Sequence, residues 1–241
     1  MPNINFQPID KYYNYLEKPN PSIKYIPEWY KSMSNRVIES GRTLFFLPGS
    51  SKINRNQTVK SCTPFLDAFQ TGYTISLPCD VEFVKEENGD ISYNWRADNI
   101  TPIGTHSNSQ YSSDAKAQGT FPYIFKWEVK WKITTPKGYS CLFVHPLNQY
   151  HLPFMTLSGV VDTDEYPIAP NFPFQLIDFK GDSLIIKAGT PIVQIIPIKR
   201  ENWTSSKGEF NQEEVEKDRF ELQKTIKNSY RTKWWHKKSY S

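Results

Sequence analysis

FKWEVKWKI, residues 125 to 133, decides the fold. Phe125, Trp127, Val129, Trp131 and Ile133 alternate with Lys126, Glu128, Lys130 and Lys132. Successive side chains of an extended chain point to opposite faces, so the large apolar groups fall on one side and the charges on the other. A helix would scatter both sets around its circumference. The stretch reads as a half-buried strand with one wet face, the pattern of an antiparallel sheet packed on a core.

Working outward, β-branched and aromatic runs separated by Gly, Pro and Asn extend from Thr71 to about residue 199. That composition predicts short strands and tight turns, at 73 to 84, 123 to 135, 138 to 145, 156 to 162, 173 to 180, 183 to 187 and 191 to 199. The NGD at 88 to 90 is a turn signal that does not by itself establish a two-residue hairpin. A Ser-, Asn-, Ala- and Gly-rich stretch between about 95 and 121 is long for a loop in a compact domain, and predicts a binding loop or an insertion. No internal repeat is visible.

The two ends differ from this middle. Residues 1 to 60, rich in Pro, Asn, Tyr and Ser, lack a sustained period and predict an irregular wrapping arm. Pro27 followed by Glu28 predicts one short helix there, with Trp29, Tyr30 and Met33 as its anchors. After Trp203 the pattern becomes helical: Asn211 can cap, Glu214 stands three residues on, and Val215, Leu222, Ile226, Phe220 and Tyr230 give an apolar stripe. This predicts a helix over about 211 to 229, followed by the basic aromatic tail SYRTKWWHKKSYS. The division expected is an arm at 1–60, a β core at 61–203 with an insertion at about 88–121, and a helix with tail at 204–241.

Of 241 residues, 38% are hydrophobic and 15% aromatic, enough to bury a substantial core despite a mean hydropathy of -0.61. No run approaches the roughly 18 to 20 apolar residues of a membrane helix, and MPNINFQPIDKYY lacks the order of a signal peptide, so no membrane partner and a cytoplasmic address are expected. Cys62, Cys79 and Cys141 form no CxxC pair and predict buried, reduced thiols. A net charge of +4 is too mild to imply nucleic-acid binding over the whole surface. There is no GxSxG, P-loop, GxGxxG or HExxH. His145 and His151, six residues apart, do not form a helical ligand pair, and metal ligation by them with Asp162 is disfavoured. Asp162, Asp164 and Glu165 read either as a water-activating or cation-binding acid cluster or as a solvated hairpin turn.

Four stretches in order, GYTISLPCDVEF (72 to 83), ITTPKGYSCLFVHPLN (133 to 148), LSGVVDTDEY (157 to 166) and IKAGTPIVQIIP (186 to 197), resemble the signature of the dUTPase and dCTP-deaminase superfamily. The resemblance covers about residues 66 to 200. It implies a jelly-roll-type β core and a homotrimer, with a nucleotide-like small molecule as ligand. Gly72 and Tyr73 match the first motif, but Thr74 stands where the family places an acid that organises magnesium. Pro136, Gly138 and Tyr139 match the second, but Leu147 stands where an arginine would hold phosphate. Magnesium is thus expected only if family-type triphosphate binding survives. Gly159, Asp162 and Asp164 match the third, in which a carboxylate orients water and a tyrosine packs on the sugar; here Glu165 shifts the tyrosine to position 166. Gly189 and Gln194 match the fourth. The aromatic N-terminal arm and WWHKK-like ending also resemble an uncharacterised family of tailed-phage proteins.

The residues and the resemblance together lead first to a non-catalytic binder of a nucleotide or nucleotide-derived signal, with Tyr73, His145, Asn148, Asp162 and Tyr166 as its ligand-binding residues. A phage-encoded binder of that kind, in the host cytoplasm, would sequester a host immune signal. The alternatives are a diverged hydrolase with Asp162 orienting water as its catalytic residue, and a structural or virion-associated β protein. Arg231, Lys233, Trp234, Trp235, His236, Lys237 and Lys238 read as a subunit-docking tail in preference to a nucleic-acid grip.

Overall fold

A computed structural model describes residues 2–36, 57–107, 110–112, 117–224 and 229–241. Among these, 14 strands form four sheets whose pairings are all antiparallel. A five-stranded sheet runs β11 (Gly159–Val161), β9 (Tyr139–Val144), β14 (Pro191–Lys199), β3 (Tyr73–Ser76), β2 (Asn20–Pro21). A four-stranded sheet runs β10 (Phe154–Thr156), β12 (Phe172–Ile177), β7 (Thr120–Trp127), β6 (Ile103–Thr105). β13 (Ser183–Ile186), β4 (Val81–Lys85) and β5 (Ile91–Trp95) form a third, and β1 (Asn5–Pro8) pairs with β8 (Trp131–Thr134) in a fourth. The expected all-β fold with a C-terminal helix is what the chain adopts.

Three of the expected strands are each two strands belonging to different sheets. The 123 to 135 run divides into β7 and β8, and the chain bends between them where Glu128 N–H bonds Pro102 O and Ile9 N–H bonds Lys130 O, each at 2.9 Å. The alternation nevertheless persists across the bend, because Phe125, Trp127, Val129, Trp131 and Ile133 all lie between 0% and 6% exposed. Likewise 73 to 84 divides into β3 and β4 around Pro78, and 156 to 162 overlaps β10 and β11. Strands that change sheets at a bend are how orthogonal β packing makes its corners. The stretch expected as an insertion supplies two more strands: β5 closes a hairpin on β4 around the NGD turn, and β6 pairs with β7.

Contacts divide the chain into two compact units. The first, residues 1–25, 69–201 and 240–241, holds every sheet. Its core centres on Trp127, stacked on Phe174 at 3.8 Å and met edge-on by Phe154 at 5.1 Å. The indole N–H donates to Thr156 Oγ1 at 3.2 Å, and the Thr156 hydroxyl donates to Ile192 O at 2.6 Å, a buried chain from β7 through β10 to β14. Gly72 enters β3 at φ +75, and a Cβ there would lie 1.9 Å from the Ile195 carbonyl oxygen.

The second unit comprises residues 26–68 and 202–239. In it α1 (Glu28–Ser32) buries Tyr30 against Phe65, while Trp29 stays 37% exposed. Asn211 caps α3 (Gln212–Lys224), accepting from Glu214 N–H at 3.2 Å, and α4 (Ser229–Lys233) follows. Residues 37–56, 225–228 and the side chain of Leu222 lie outside the described residues, so the helix expected over 211 to 229 is seen only in part and Ile226 not at all. Among the described residues no helix is long and apolar enough to cross a membrane.

Thr156→Val would leave both the indole N–H and the Ile192 carbonyl unpaired, and chemical denaturation should show a loss of about 2 to 4 kcal/mol. Gly72→Ala should cost at least about 2 kcal/mol, from positive φ and the clash together. Gly138→Ala is the control: it too has positive φ, but open space surrounds its Cβ, and it should cost about half as much.

Candidate ligand-binding groove

β11 is the edge strand of the five-stranded sheet, and the chain leaves it through a turn at 162 to 166. Glu165 N–H and Tyr166 N–H both bond the Asp162 carbonyl, at 3.0 and 2.9 Å. Thr163 points inward and pins the turn: its hydroxyl lies 2.7 Å from that of Thr135 and 3.3 Å from Cys141 Sγ. With Thr163 inside, the two flanking aspartates lie in different environments.

Asp164 is held by Arg200, the residue that leaves β14. The guanidinium forks onto the carboxylate, Nη1 donating to Oδ1 at 2.8 Å and Nη2 to Oδ2, while Gly138 N–H adds a third bond at 2.8 Å. These bonds, Arg200 first, hold the Asp164 carboxyl at about 2, below its ordinary 3.8, and they push Arg200 further up. Arg200 also donates to Tyr139 O at 3.0 Å and Ser140 Oγ at 3.1 Å. The Asp164 side chain is 2% exposed. The cluster ties the PKGY turn, the 162 to 166 turn and the end of β14 together.

Asp162 is 64% exposed at its side chain. Its Oδ1 accepts from the Ser140 hydroxyl at 2.6 Å and lies 3.2 Å from Arg200 Nη1, leaving Oδ2 without a partner among the described residues. It borders an open groove of about 580 Å³ with Val160, Glu165, Tyr166, Pro170 and Asn171. Tyr166 lies in the turn rather than on a strand, and its ring is exposed on this groove.

The structure thus brings Asp162 and Tyr166 together, but not the other sequence-derived candidates. His145 follows the far end of β9, five residues from Ser140 and hence roughly 17 Å along the strand. Its Nδ1 accepts from Thr156 N–H at 3.3 Å and its Nε2–H donates to Gln149 O at 3.2 Å, which assigns the neutral Nε2–H tautomer. Burial pushes its pKa down from the usual value, opposed by the Gln149 bond. Asn148 sits in the same turn at φ 61, the left-handed region that asparagine tolerates. Tyr73 is core: its ring meets Phe6 and Tyr240 edge-on, and its hydroxyl donates to Ser241 O at 3.2 Å.

Two further motif positions have internal partners. Thr74, where the resembled family carries an acid, is buried with its hydroxyl 2.8 Å from that of Ser22. Gln194 accepts from Leu147 N–H at 2.9 Å and donates to Thr71 O at 2.6 Å, so it braces two loops. A magnesium ion does not fit this arrangement. Asp164 is engaged by Arg200 and Gly138, Thr74 offers no charge, and no group of three metal-binding side chains gathers among the described residues.

In the second unit, Trp235 Nε1–H donates to Asp67 at 2.8 Å and Lys238 Nζ bonds the same carboxylate at 2.6 Å. The tail's Trp235 is therefore anchored within its own chain. Cys79 and Cys141 are buried as expected, with burial pushing both thiols up to about 11, but Cys62 is exposed. No protein-family model matches this chain, and curated proteins provide no match.

The pH dependence of the Asp164 clamp has a definite sign. Its folded pKa lies below the unfolded value, so its stabilisation is complete above about pH 4 and is lost as pH falls through about 2. Arg200→Ala removes the forked guanidinium bonds that hold the carboxyl low, and acid unfolding followed by tryptophan fluorescence should then begin nearer pH 4 than in the wild type.

Proposed function

We propose that this protein is a non-catalytic binder of a nucleotide-like small molecule, and that its ligand occupies the groove between Asp162 and Tyr166. One observation carries the reading: the motif positions that would hold metal or phosphate lack the charge for it or are engaged internally, whereas Asp162 Oδ2 and the Tyr166 ring remain available on one groove. A carboxylate oxygen accepts from a sugar hydroxyl or a base N–H, and an exposed tyrosine offers a flat apolar face to a ring. Asp162 and Glu165 make the groove acidic, which favours its taking the nucleoside end of a ligand, with any phosphate directed to solvent. The resemblance of the four motifs to a nucleotide-handling superfamily supports the same ligand class.

Isothermal titration against deoxynucleosides, deoxynucleotides and cyclic dinucleotides tests this. At least one member should bind, and Asp162→Ala and Tyr166→Ala should each weaken that binding about tenfold. No heat with any member would sink the proposal. Product formation from dUTP or dCTP with magnesium, lost in Asp162→Ala, would replace binding by hydrolysis.

A further inference from the structure

A second concavity, built from the other end of the five-stranded sheet, has a different chemistry. β14 carries a register shift between Pro191 and Val193, opposite Ser76 and Ile75 of β3. The chain then crosses from β3 toward β4 through Leu77, whose N–H bonds Thr190 O and whose carbonyl accepts from Gly189 N–H, both at 2.8 Å. This bend, together with β8 and the 3-10 turn at Lys11–Tyr15, leaves a partly enclosed cavity of about 230 Å³. Ile75, Leu77, Val129 and Trp131 wall its buried part, and Tyr13 meets Trp131 edge-on at 5.8 Å.

Three polar groups on this wall have unused capacity. Trp131 is 6% exposed, and its indole N–H, which solvent reaches, makes no hydrogen bond among the described residues. Ser76 Oγ accepts from the Tyr25 hydroxyl at 3.3 Å, which leaves its own proton free to donate. Glu17 accepts from Asn20 through Oε2 at 2.9 Å, while Oε1 has no partner among the described residues. Two donors and one acceptor therefore border an apolar, aromatic-walled space. Its volume is below the roughly 300 to 1,000 Å³ of sites for drug-sized ligands, which limits the occupant to about a single ring system.

We infer that this cavity binds a small, uncharged, planar heterocycle that presents an N–H donor beside a carbonyl or ring-nitrogen acceptor, a molecule of nucleobase size. The donor serves Glu17, the acceptor takes Trp131 N–H or the Ser76 hydroxyl, and the ring fills the apolar part. This site shares no residue with the Asp162 groove and does not depend on its occupancy.

Saturation-transfer NMR and tryptophan fluorescence, with uracil, cytosine, adenine and guanine as probes, test the assignment on the full chain. Uridine distinguishes a free base from the base of a nucleoside, and benzylamine tests whether Glu17 with its aromatic neighbours takes a cation instead. Measured in an Asp162→Ala background, which silences the groove, at least one base should bind, and Ser76→Ala, Glu17→Gln and Trp131→Phe should each weaken it about tenfold. Ser76 and Glu17 stand at the rim, so their variants should keep the wild-type melting temperature even where Trp131→Phe does not. Absence of saturation transfer from every base at millimolar concentration overturns the inference. So do binding unchanged in both rim variants, binding abolished by Asp162→Ala, and capture of benzylamine alone.

Discussion

Burying Trp127 obliges the fold to supply an acceptor for an indole N–H in its driest region, and Thr156 meets that demand while passing its own proton to Ile192. The three residues lie on β7, β10 and the start of β14, so one buried hydrogen-bond chain ties the four-stranded sheet to the five-stranded one. Phe174 stacked on the same indole, with Phe154 and Phe125 around it, supplies the apolar burial that makes the arrangement favourable overall. A polar link inside an aromatic core also constrains register. Sliding β7 by one residue would turn the indole to solvent and orphan the threonine.

The buried face of residues 125 to 133 was legible in the sequence, but the ends of the strands were not. In 125 to 133 the alternation of large apolar and charged residues describes the burial residue by residue, yet it does not announce the bend at 128 to 130. The bend preserves the alternation, so a two-residue period is blind to it, and only the partners of Glu128 and Lys130 reveal the change of sheet. Pro78 was the visible clue to the break between β3 and β4. β5 and β6 are hidden for another reason: Ile91–Trp95 alternates with polar residues beside a Ser- and Asn-rich stretch whose composition is that of a loop.

At the groove, Asp162 and Tyr166 were legible because they are neighbours in sequence and a turn keeps them neighbours in space. Arg200 was not, since nothing local marks it. Its role follows from β14 lying beside β9, which sets the residue after Lys199 against Gly138. Tyr73 packs in the core, and His145 and Asn148 lie in one turn away from the groove. The glycines at 72 and 138 take positive φ, and Thr74 forms a buried hydroxyl pair with Ser22. The scaffold half of the motif pattern and its chemical half are physically separable.

The burial that organises the core also sorts the three cysteines by reactivity. Cys141 lies under the 162 to 166 turn with Thr163 donating to its sulfur, and Cys79 sits at the bend into β4. Both are kept as neutral thiols by the low polarity around them, and a neutral thiol is a poor nucleophile even where a reagent can reach it. Cys62 has no such shelter. Oxidation, alkylation or mixed-disulfide formation in the native protein therefore falls on one sulfur of three, and damage to the other two awaits loss of the fold.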